Sequence, residues 1–129
     1  MPQDQSTGAA GNAFGRANAK KLAAALGAKL TKPGSNEARW DGKLVVLKSA
    51  ALDTNSVGVT YLMLERIDEV VAALEREDGA FDIYTLSASA FRSAMGPTRS
   101  KGPSSGRVGV VRRSVFESQG HHLGVKNLR

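Results

Sequence analysis

Glu37 and Lys48 bracket the stretch NEARWDGKLVVLK, and they are the residues best placed to do chemistry. Lysine is rarely buried without a partner, yet Lys48 ends a run of four apolar residues, Leu44 to Leu47, that reads as a strand covered on both faces. It either surfaces at the strand end or sits in a site that uses its charge. Asp41-Gly42 is a strong hairpin signal because both turn positions of a two-residue loop need positive φ. Such a loop pairs Trp40 with Lys43, Ala38 with Val45 and Glu37 with Val46. Side chains alternate along a strand, so Glu37, Val46 and Lys48 then share one face. Glu37 and Lys48 become diagonal neighbours about 7–8 Å apart, within reach of long side chains. A carboxylate beside an ammonium on adjacent strands suits metal-dependent phosphodiester cleavage. There the carboxylate holds Mg²⁺ and the lysine stabilises charge on the phosphate.

Several elements must position this pair. GNAFGRANAKKLAAALG reads as a helix, with Asn12 as N-cap and Gly27 at the C′ position. Phe14, Leu22, Ala25 and Leu26 fall on one face of it, with Asn18 inside that stripe. In TYLMLERIDEVVAALER, Thr60, Leu64, Ile67, Val71 and Leu74 recur at spacings of four and three, which predicts one amphipathic helix flanked by Met63 and Val70. Asp78-Gly79 leads into AFDIYTL as a strand, and SASAFRSAM reads as a short helix capped by Ser87 or Ser89. GPTRSKGPSSG is a loop by composition, and RVGVVRRSVF reads as a last strand. The order α-β-β-α-β-α-β predicts an α/β fold: a single small domain whose central mixed sheet contains the hairpin and is flanked by helices. Residues 1 to 11 are expected to be a flexible segment, 12 to 118 the domain and 119 to 129 a flexible basic tail.

With 129 residues, 41% of them hydrophobic, the chain can bury one core. It has no cysteine, which excludes a disulfide framework and thiolate chemistry. No apolar run reaches membrane-spanning length, and MPQDQSTGAAGN lacks the features of a secretory signal. The expectation is a cytoplasmic protein without a membrane association. The net charge is +6, and residues 92 to 129 carry eight basic side chains against Glu117 alone. A basic segment so one-sided suggests a polyanionic partner, with a solvated basic tail as the plain alternative. Arg99, Lys101, Arg107, Arg112 and Arg113 are the candidate phosphate contacts, with Ser100, Ser104 and Ser105 as auxiliary donors. Alternation turns Arg112 and Arg113 to opposite faces, so only one of them is expected on the polyanion. His121 and His122 are read as part of the tail rather than a metal site, and Trp40 as hairpin cover.

SNEARWDGKLVVLKSA resembles the acidic residue, hairpin and lysine segment of the PD-(D/E)xK restriction-endonuclease-like superfamily, in the compact PvuII-type layout. TNSVGVTYLML, AFDIYTLSASAF and RVGVVRRSVFESQG can be laid in order on later elements, so the resemblance spans residues 12 to about 120. It implies a metal-dependent DNA endonuclease using Mg²⁺ or Mn²⁺ on duplex DNA, working as a homodimer. Glu37 falls on the first metal-binding acid and Lys48 on the motif lysine. The sequence departs from the pattern at Val46, where the second acid would stand, and Asn18 occupies a place that often holds Glu. Asp53 is the candidate to complete the metal site, with a turn or cap as its alternative role. Two other classes remain open: a DNA-binding relative that does not cleave, and a basic protein-interaction module.

Overall fold

A computed structural model describes residues 17 to 97 and 107 to 128. Helix α1, residues 17 to 26, ends in a Schellman motif. The Ala28 N–H donates to the Ala23 carbonyl (2.8 Å) and the Gly27 N–H to that of Ala24 (3.3 Å), with Gly27 at φ 72°. After the short β1 (Lys29–Leu30), strands β2 (Glu37–Trp40) and β3 (Lys43–Ala50) form the expected hairpin. Asp41 and Gly42 both hold positive φ, and the register pairs Glu37 with Val46 and Trp40 with Lys43. The Trp40 indole N–H donates to the Leu26 carbonyl at 3.2 Å, which ties the hairpin to the end of α1.

The main sheet is mixed, with strand order β1-β2-β3-β5-β6-β9; β5 is Glu69–Glu75, β6 Phe81–Ser87 and β9 His121–Lys126. Its one parallel pair is β3 with β5. A second sheet of order β4-β8-β7 is built from Ser56–Thr60, Val108–Arg112 and Gly96–Pro97. Three short helices join the strands: α2 (Tyr61–Arg66), α3 (Ala88–Ala94) and α4 (Arg113–Gln119). Ser87 caps α3 as expected, its hydroxyl accepting from the Ala90 N–H. The chain is thus an α/β domain with a central mixed sheet containing the hairpin.

Two apolar layers lie on opposite faces of the main sheet. Val45, Leu47, Val71, Ala73, Phe81 and Ile83 point toward α1 and its Ala19, Leu22 and Ala23. Val46, Ala50, Val70, Ala72, Leu74 and Leu86 point toward the second sheet, α2, α3 and α4. This two-sided burial explains where the sequence misleads. The single helix expected over residues 60 to 76 is instead α2 followed by β5. As a central strand, EVVAALE must be apolar on both faces, so it shows no two-residue alternation and its spacing imitates a helical stripe. The segment expected as a tail at 119 to 129 carries a strand over His121–Lys126. Residues 113 to 119 are helical and 121 to 126 pair with the free edge of β6, while Leu128 is buried in the α1-side core. The turn at Gly120 leaves no room for a side chain, because a Cβ there would lie 2.5 Å from the Phe116 carbonyl oxygen and 2.9 Å from that of Thr85.

Candidate functional site

β3 runs two residues past Lys48, so this lysine sits within the strand rather than at its end. It lies between Val46 and Ala50 on the face turned to the second sheet, with Ala72 opposite on β5. Small neighbours leave space for the long side chain, which is half-buried. Burial pushes the Lys48 ammonium below the ordinary lysine range. No carboxylate among the described residues comes within ion-pair distance of it.

Glu37 shares that face, as the register requires, because Ala38 and Trp40 turn to the α1 side. The Ser35 hydroxyl accepts from the Glu37 N–H at 2.9 Å. Its carboxylate, whose side chain is only 15% exposed, is paired with Arg66 at the end of α2 rather than with Lys48. The Arg66 side chain is 61% exposed, and its Nη2 also lies 3.6 Å from the Met63 sulfur. Arg66 is held there because Leu64 buries α2 against the sheet, while the Thr60 hydroxyl caps the helix by accepting from the Met63 N–H. Sequence reasoning missed Arg66, since the single long helix expected over this stretch placed no end there. Arg39, exposed and two residues beyond Glu37 on β2, projects to the same face. Asp68 closes the junction below: its carboxylate accepts from the Leu44 N–H (2.9 Å) and its own N–H donates to the Leu44 carbonyl (2.7 Å).

Asp53 is not brought to Glu37. Glu37 sits level with Val46, and β3 continues for about 13 Å before Ala50 at 3.3 Å per residue. Asp53 lies beyond, in a turn closed by the Thr54 N–H donating to the Ala51 carbonyl (2.9 Å). That loop is braced by Arg113. Its guanidinium donates to the carbonyls of Ala51 (2.8 Å), Thr54 (3.2 Å) and Glu75 (2.9 Å), so its donors serve the fold. Arg107 and Arg112 are exposed at opposite ends of β8. The Arg107 carbonyl accepts from the Tyr61 N–H at 2.9 Å, which sets it at the start of α2, whereas Arg112 faces Ser56 at the far end of the second sheet. The expected basic stripe therefore divides, with Arg107 on the α2 side. Arg99, Ser100, Lys101, Ser104 and Ser105 lie outside the described residues.

His122 belongs to β9, where its Nε2 is 2.9 Å from an Asp82 carboxylate oxygen and its ring packs 4.8 Å from that of Tyr84. Burial, with the carboxylates of Asp82 and Glu117 nearby, pushes the Tyr84 phenol up. Among the described residues no three His, Asp or Glu side chains gather as a metal site, and no helix is long and apolar enough to cross a membrane. No family model matches the chain, and no curated protein matches it significantly.

Proposed function

We propose that the chain is a duplex-DNA-binding protein of the restriction-endonuclease-like class, acting as a homodimer and presenting the face of Glu37, Lys48 and Arg66 to a backbone phosphate. One observation carries this reading. Beside the apolar centre of this sheet face, the hairpin register and α2 gather Glu37, Lys48 and Arg66 next to the parallel pair β3–β5. Charged groups are costly to hold on such a surface without use. The basic excess of residues 92 to 129 supplies the wider attraction to a polyanion.

The Mg²⁺ or Mn²⁺ that the resemblance implies fits the described residues poorly. Of the carboxylates on the face of Lys48, Glu37 is held by Arg66 and Asp68 accepts from the Leu44 N–H, and Val46 stands where the second acid would be. No step is therefore derived through a metal. A second reading, metal-dependent cleavage, is favoured by Glu37 and Lys48 sharing one face. Incubating the purified protein with labelled duplex, with and without Mg²⁺ or Mn²⁺, separates the two. A salt-sensitive shift of intact duplex in every case supports binding without cleavage. Metal-dependent products that vanish in Glu37→Ala establish the nuclease, and absence of any complex with duplex at low salt ends the DNA reading.

A further inference from the structure

Arg66 and Glu37 make an asymmetric pair. The carboxylate is largely withdrawn from water, while the guanidinium stands mostly in it. Only Nη2 of Arg66 touches Glu37, and both forked edges of a guanidinium, Nε with Nη2 and Nη1 with Nη2, use that nitrogen, so a forked contact with phosphate oxygens requires its release from Glu37. The charges on this face are also unbalanced. Arg39, Lys48 and Arg66 are cationic, Glu37 and Asp68 anionic, and the Asp68 carboxylate is bonded to the Leu44 N–H. With Arg92 and Arg107 also beside α2, the surroundings are net positive. Lys48 and Arg39 have no ion-pair partner among the described residues, and of the two Lys48 is the half-buried one, anchored within β3.

Resting on the DNA-binding reading above, we propose that Arg66 exchanges partners. In the free protein it covers Glu37, and on DNA its guanidinium transfers to the non-bridging oxygens of one phosphodiester, leaving Glu37 to the Lys48 ammonium. Glu37 thereby acts as an internal competitor for the same guanidinium that grips the backbone. The exchange is feasible because an exposed ion pair is weak, whereas a forked guanidinium–phosphate contact is both stronger and geometrically selective. The burial that lowers the Lys48 pKa would be opposed by an arriving phosphate, so complex formation should take up a proton in alkaline buffer.

Fluorescence anisotropy with a labelled duplex across a salt series tests this on the full chain. Arg66→Ala should weaken binding about tenfold or more and reduce the slope of log affinity against log salt by about one. Arg66→Lys should keep the slope but recover only part of the affinity, because it retains the charge without the fork. Glu37→Gln should tighten binding, and that gain should disappear when Arg66 is already alanine, which a general loss of negative charge would not produce. Thermal melts confirm that the variants fold. Wild-type affinity and slope in Arg66→Ala, or an equal gain from Glu37→Gln in both backgrounds, overturns the exchange while DNA binding stands. A wild-type chain that binds no duplex overturns both.

Discussion

The two faces of the main sheet are made by the same strands and differ sharply in what they tolerate. The α1 side is apolar at the centre of β3, β5 and β6 and closed by Ala19, Leu22 and Ala23, and its buried polar residues include Thr85 and Glu75, whose carboxylate accepts from the Leu52 N–H at 3.0 Å in the service of the fold. The other side has an equally apolar centre but admits Glu37, Lys48 and Arg66 at one flank and Tyr84 with His122 at the other. A core needs none of these groups. The polar groups of the α1 face serve the fold, and the second face is the one on which the proposed function is placed. The largest effect follows from this division. Leu47→Ala, deleting a side chain 1% exposed between α1 and the sheet, should cost about 2–5 kcal/mol in a denaturant melt. It should leave DNA affinity per folded molecule unchanged. A loss of affinity as large as the loss of stability would show that the faces are not separable.

An effect of intermediate size, and of opposite sign, is expected on the other face. Lys48→Met replaces a half-buried ammonium by an apolar chain of similar length and should raise stability at neutral pH by about 1 kcal/mol, measured as a shift in the unfolding midpoint. The sign with pH follows from the lowered pKa. In the window between the folded and unfolded pKa values, the unfolded chain binds more protons, so wild-type stability rises with pH there. The advantage of Lys48→Met should accordingly be full below that window and shrink as pH climbs toward the ordinary lysine range. A constant difference across alkaline pH would mean that the ammonium is not desolvated. The same variant should bind duplex less tightly, so stability and function would move in opposite directions at one residue.

The hairpin half of this site was legible in the sequence, and the helix half was not. Asp41-Gly42 dictated the turn, the turn dictated the register, and the two-residue period then put Glu37 and Lys48 on one face. Each step is local. Arg66 depends on where a helix stops, and that depends on β5 lying between β3 and β6, a tertiary fact that no spacing in TYLMLERIDEVVAALER encodes. Isolated, the segment satisfies a helical period; in place, it satisfies a strand buried twice. β9 was hidden for a related reason. HHLGVK is short and polar because it is an edge strand with one hydrogen-bonded neighbour, and Gly124 (φ 123°) breaks its alternation near the register shift at Ile83/Tyr84.

The smallest expected effect concerns the ion pair itself. A pair that stabilised the fold would resemble Arg113, whose guanidinium donates to three carbonyls, two in the 51–55 loop and one at the end of β5. Arg66 instead makes one ion pair from a mostly exposed position, next to a sulfur. Exposed pairs of this kind contribute about 0–1 kcal/mol, because side-chain ordering and solvent screening offset the attraction. A double-mutant cycle on Glu37→Gln and Arg66→Ala, read by chemical denaturation, should therefore give a coupling within that range that fades as salt is raised. Arg113→Ala, measured alongside, should cost distinctly more, since it leaves carbonyls of the 51–55 loop without their donor. If the Glu37–Arg66 coupling instead matched that larger cost and resisted salt, the pair would be a structural brace. The guanidinium could not then be given up to a phosphate, and the contrast between the two faces would rest on Lys48 alone.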